Sequence, residues 1–109
     1  MPAKLMVMYP QPKMMDDFER AYADEHIPMA ASIFTEYGAT KAVMSKAVGA
    51  STGAPAFHRI AEIHFPSMDA LQRCAAGKGQ DALAHAHKIS NGGPPVVIIA
   101  EEDVIPLSK

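Results

Sequence analysis

The sequence predicts an α+β domain of ferredoxin-like order, β-α-β-β-α-β, with a four-stranded antiparallel sheet and its helices on one face. Three observations lead there. Four stretches have the length and apolar content of strands: Leu5–Tyr9, Thr40–Val48, Phe57–Phe65 and Val96–Glu102. Two stretches of helical spacing follow the first and the third of these. The 109 residues suit one domain, 1–109, with a core that needs no staples.

Each element has its own signal. Leu5 to Tyr9 is a compact apolar run closed by Pro10 and Pro12, as for a buried strand. In the helix that follows, Met15, Phe18, Tyr22, His26 and Met29 recur at steps of three and four and form one face. Asp16, Asp17 and Glu19 sit near its amino end, where the helix dipole favours negative charge. Pro28 lacks an amide proton and disfavours helical angles at Ile27, so a break or kink is expected at His26–Ile27. A short second turn, Met29–Phe34, follows the break. "GASTGAP", residues 49–55, is a flexible connection after the second strand.

In the third strand the odd positions are Phe57, Arg59, Ala61, Ile63 and Phe65, mostly apolar. Alternation puts His58, Ile60, Glu62 and His64 on the other face. The next helix has Ser67 as N-cap, Asp69 in its first turn and Gly77 as stop, with Met68, Leu71, Cys74 and Ala75 as its buried stripe. A further helix is expected over Gln80–Ile89, then the turn "NGGPP". The last strand, "VVIIA", is apolar on both faces, so its sheet must be covered. A second copy of the same sheet, related by a two-fold axis, is the simplest cover.

Composition narrows the function. The net charge is −2 and no basic stripe appears, so nucleic acid is not an expected partner. Cys74 is the sole cysteine, which excludes an internal disulfide and suits a reducing compartment. The opening apolar run is too short for a signal peptide or membrane span. A cytoplasmic protein without membrane contact is expected.

Four stretches, taken in order, carry a resemblance: "DDFERAYADEHIPMA", "HRIAEIHFPSMDAL", "GKGQDALAHAHKI" and "SNGGPPVVIIAEE". Together they resemble EthD-type proteins, named for ethyl tert-butyl ether degradation. The resemblance covers nearly the whole chain. It implies a dimeric α+β barrel in which two sheets face each other, with a cleft between sheet and helices in each subunit. It also implies a place in the breakdown of ethers or aromatic compounds, or cofactor-free chemistry like that of fungal relatives acting on polyketides. Chemistry does not follow from fold alone.

His26 is the first candidate catalytic residue, because imidazole titrates near working pH and burial moves it readily. It matches the family's histidine. As a core residue it would instead cap the carbonyls of a broken turn. Glu62 is the second, corresponding to the glutamate of the family's A-E-x-x-F strand. It is expected to orient His26 or to act as an acid, or else to form an ion pair with Arg59 or Lys46. Tyr22, one turn before His26, joins Tyr9 and His64 as expected substrate-lining residues. His58, Glu62 and His64 are too spread along their strand to hold one metal. His85 and His87, two apart on a helix, point in different directions and are not a metal pair. Cys74 reads as an inert small hydrophobe. No cofactor and no metal are expected.

The expected function is therefore cofactor-independent acid–base chemistry on a hydrophobic aromatic or ether-type compound: isomerisation, dehydration or a monooxygenase-like reaction. The alternatives are a non-catalytic binding protein of such a pathway and a haem-binding member of the same barrel fold.

Overall fold

The computed structural model describes residues 1–108 and has the ferredoxin-like fold. Its elements are β1 (Ala3–Pro10), α1 (Met15–Ala21), a π-helical turn (Tyr22–His26), α2 (Ile27–Glu36), β2 (Lys41–Lys46), β3 (Phe57–Phe65), α3 (Met68–Ala76), α4 (Gly79–Ile89) and β4 (Val96–Glu101). The strands form one antiparallel sheet in the order β2-β3-β1-β4.

The alternation of β1 assigns the two faces. Ala3, Leu5, Val7 and Tyr9 are buried beneath the helices, and Ala61, Ile63 and Phe65 of β3 lie beside them. Phe18, Tyr22, Phe34, Leu71, Cys74, Ala82, Ala86 and Ile89 close the core from the helix side. Ser67 caps α3 by accepting a hydrogen bond from the Ala70 amide, which supplies one of the bonds that a helix start lacks. Nothing among the described residues covers the opposite face, which Met6, Met8, Val43, Ile60, Val96 and Ile98 share. In β4, Val96, Val97, Ile98 and Ile99 are all between 37% and 46% exposed, so both faces of this edge strand are open.

Three local expectations are corrected. The first helix does not break at His26–Ile27. It runs through to Glu36 because the chain widens into a π-helical turn, where the Ile27 amide donates to the Tyr22 carbonyl five residues back. That extra residue accommodates Pro28 in the first turn of α2, where its ring and missing amide fall beside the widened turn. The second strand is shorter than expected, Lys41–Lys46. Finally, His58 does not share a face with Glu62. The pairing of β1 with β3 shifts at Tyr9/Pro10, so that Tyr9 opposes Arg59 and Pro10 opposes Phe57. Residue 58 is the extra residue of a bulge, and His58 turns inward with Arg59.

Candidate functional site

The π-helical turn presents Tyr22 and His26 to the same side of the sheet as Tyr9 of β1. Tyr22 and His26 are one turn apart and stack, with ring centroids 5.9 Å apart and planes 16° apart. Tyr9 meets both edge-on. The Tyr9 hydroxyl and His26 Nε2 are 3.2 Å apart. The other ring nitrogen, Nδ1, lies 2.9 Å from Nδ1 of His85 on α4, and these two rings are nearly parallel. His85 Nε2 in turn lies 3.8 Å from the Glu25 carboxylate, at the solvent edge. A chain of polar groups therefore runs from the interior to the surface: Tyr9, His26, His85, Glu25.

The interior end of this chain borders a hollow of about 20 Å³, room for one water molecule. Apart from Tyr9, Tyr22 and His26 its lining is apolar, with Val7, Ala30, Ala61, Leu83 and Ala86 among the contributors. Phe34, Met44 and Ile63 form a wall shared with a second space of about 190 Å³ between α2 and β2. That groove is rimmed by Thr35, Thr40 and Lys41. Met44 is also the acceptor for the Tyr22 hydroxyl, at 3.3 Å.

Burial sets the protonation of these groups. His26 is pushed down to about 4, chiefly by desolvation and then by the neighbouring His85, so its ring is neutral at physiological pH. Desolvation raises Tyr9, which stays a phenol. Tyr22 is raised to about 12 by burial, against the pull of the Arg59 guanidinium 5.4 Å above its ring.

The structure thus brings together three of the five residues singled out in the sequence: His26, Tyr9 and Tyr22. Glu62 and His64 belong elsewhere, on the opposite face of the sheet, because each is two residues from the next on β3 and the helix face takes Ala61 and Ile63. Glu62 accepts a 2.7 Å ion-pair contact from Lys4, which holds its carboxyl below the usual range. His64 is 2.7 Å from Glu102. Neither can orient His26 nor line its hollow. His58 and Arg59 instead bind Glu19 of α1, Arg59 through two nitrogens, and these contacts lower the Glu19 carboxyl to about 2.

His85 is the member of the site that reading the sequence overlooked. The signal was present: Ala82, His85 and Ile89 recur at steps of three and four, and Ala82 and Ile89 are buried. Comparing His85 only with His87 hid it. His87 is exposed, Cys74 is buried with its thiol raised by burial, and among the described residues no cluster of three or more His, Cys, Asp or Glu could hold a metal ion.

Comparison with known proteins agrees with this architecture. Residues 11–88 match the EthD domain family. An ethyl tert-butyl ether D (EthD) family protein from Bacillus halodurans C-125 is similar at 25% identity, over 94% of this chain and all of the other, with a TM-score of 0.83. A dimeric ferredoxin-like protein of unknown function from Jannaschia sp. CCS1 shares the fold at 18% identity, over 94% and 100% of the two chains, with a TM-score of 0.67. SnoaB of Streptomyces nogalater, a cofactor-independent oxygenase, shares it at 15% identity, over 97% and 98%, with a TM-score of 0.64. No curated protein matches the sequence.

Proposed function

The chain belongs to the EthD family, and from that premise we propose that it is a small cofactor-independent enzyme acting by acid–base chemistry on a hydrophobic aromatic or ether-type compound. One observation carries the reading: a neutral, buried imidazole, held between Tyr9 and His85, opens on an apolar hollow. A neutral imidazole can take a proton, and a neighbouring phenol can give one. Because the site is buried among apolar side chains, each transfer feels its partner strongly.

The hollow is too small for an aromatic ring, so the bulk of the substrate occupies the groove between α2 and β2. Its reacting end reaches His26 when the flexible Met44 side chain swings aside. Isomerisation, dehydration and a monooxygenase-like reaction all fit such a site. A cofactor-independent oxygenase on the same fold supports chemistry without a bound group. Two copies closing over the open sheet face form the homodimer, a reading supported by the apolar character of that face and by a dimeric relative of the fold.

The disparity between the 20 Å³ hollow and the 190 Å³ groove favours a second reading, a non-catalytic carrier that binds its ligand in the groove alone. One experiment separates the two. A panel of aromatic and branched ether compounds is incubated with the protein, binding is read by ligand-observed NMR and conversion by mass spectrometry. Enzymatic function predicts a converted compound whose conversion falls at least a hundredfold in His26→Gln while the variant stays folded. Binding without conversion supports the carrier, and conversion unchanged in His26→Gln removes the mechanism.

A further inference from the structure

We propose that Tyr9, His26, His85 and Glu25 form a directional proton path joining the closed hollow to solvent, with His85 as the positioning residue that fixes the working tautomer of His26. The two facing Nδ1 atoms are 2.9 Å apart. At that distance one must carry the proton and the other must offer a lone pair. Two arrangements are possible. In the first, Tyr9 donates its hydroxyl proton to His26 Nε2, His26 donates Nδ1–H to His85 Nδ1, and His85 turns Nε2–H towards the Glu25 carboxylate. In the second, every donor and acceptor is reversed, and a bare His85 Nε2 faces the Glu25 oxygen at 3.8 Å. Two acceptors facing each other repel, so Glu25 selects the first arrangement.

This polarity suits outward transfer. Tyr9 takes a proton from the bound molecule as its own hydroxyl proton passes to His26 Nε2. The His26 Nδ1–H bond breaks as the His85 Nδ1–H bond forms, and His85 releases its Nε2 proton to water beside Glu25. Tyr9 ends as the phenol it began as, and the pair ends in the opposite tautomers, which reset when the chain of donors turns over. The same steps reversed, starting from those opposite tautomers, deliver a proton to the hollow. The titratable groups facing the imidazole pair are Tyr9 from β1, Tyr22 and Glu25 from the π-helical turn, and no others among the residues lining the hollow; β2, β3 and α2 contribute only Met44, Ala61, Ile63, Ala30 and Phe34.

The path deepens the acid–base reading and would serve it, but its test needs no substrate. Long-range ¹⁵N–¹H NMR of the histidine rings in the free protein reports the tautomers directly. The expected result is a pyrrole-like Nδ1 with a pyridine-like Nε2 in His26, and the reverse in His85. Glu25→Gln, at an exposed position that leaves the fold intact, should shift both rings towards a mixture of tautomers. A His26 protonated at Nε2 in the wild type, or tautomers that ignore Glu25→Gln, would overturn the proposal. Neither result touches the compound-panel experiment, and failure to find a substrate leaves the tautomers as they are.

Discussion

At the scale of single residues, His26 makes the fold sensitive to acid. Its folded pKa of about 4 lies below the roughly 6.5 of a free imidazole. Between these values the unfolded chain accepts a proton that the folded chain refuses, so stability falls as pH falls. The loss begins near pH 6.5, is complete near pH 4, and amounts to about 3 kcal/mol. Glu19, lowered to about 2, adds a separate loss that begins only below its unfolded value. Urea midpoints measured from pH 7 to 4 should therefore drop steeply in the wild type and much less in His26→Gln. Equal slopes would place the acid sensitivity elsewhere. The burial of His26 was legible because helical spacing from Phe18 and Tyr22 turned it inward. The identity of its partner was not. Glu62 looked suitable because a mid-strand carboxylate needs a partner, but strand alternation sends it through the sheet to Lys4.

At the scale of elements, the strands and helices were readable because apolar period and capping residues agreed with one another. Two of the departures, the π-helical turn and the bulge at His58, each adjoin a proline whose effect is non-local. Pro28 removes one helical hydrogen bond, and whether the helix stops or widens depends on the packing of Tyr22 and His26 against β1. Pro10 cannot donate to the ladder, and the pairing shifts beside it. Helix α4 depends on a similarly tight contact. A methyl group on Gly79 would collide with the Cys74 carbonyl at the close of α3. Gly79→Ala should cost about 1–3 kcal/mol, as overpacking does. Because α4 carries His85, the same change should separate the imidazole pair and mix the His26 tautomers. Thermal melts together with the ring NMR would check both effects, and a variant of wild-type stability would show that α4 can slide without loss.

At the scale of the whole molecule, the sheet is the argument for a second copy. Its open face carries Met6, Met8, Val43, Ile60, Val96 and Ile98 in adjoining rows, and a charged row of Lys4, Lys41 and His64 crosses one end. An isolated chain would leave this surface against water, and monomers seldom tolerate an apolar patch that spans a sheet. Covering it with another copy should bury on the order of 1,600 Å² or more, the range of a stable interface. The charged row then has a second role. Lys4 with Glu62 and His64 with Glu102 are already paired within the chain, so they can be covered without leaving a bare charge, and they limit which register the two sheets adopt. Ile98 lies halfway along the edge strand β4, opposite Met6. Light scattering at micromolar concentration should give twice the chain mass for the wild type. Ile98→Asp should give a monomer, because an unpaired carboxylate would be buried among the apolar side chains that the second copy covers. A wild-type monomer would leave the apolar face without an occupant. It would not alter the hollow beside His26, which one chain encloses by itself.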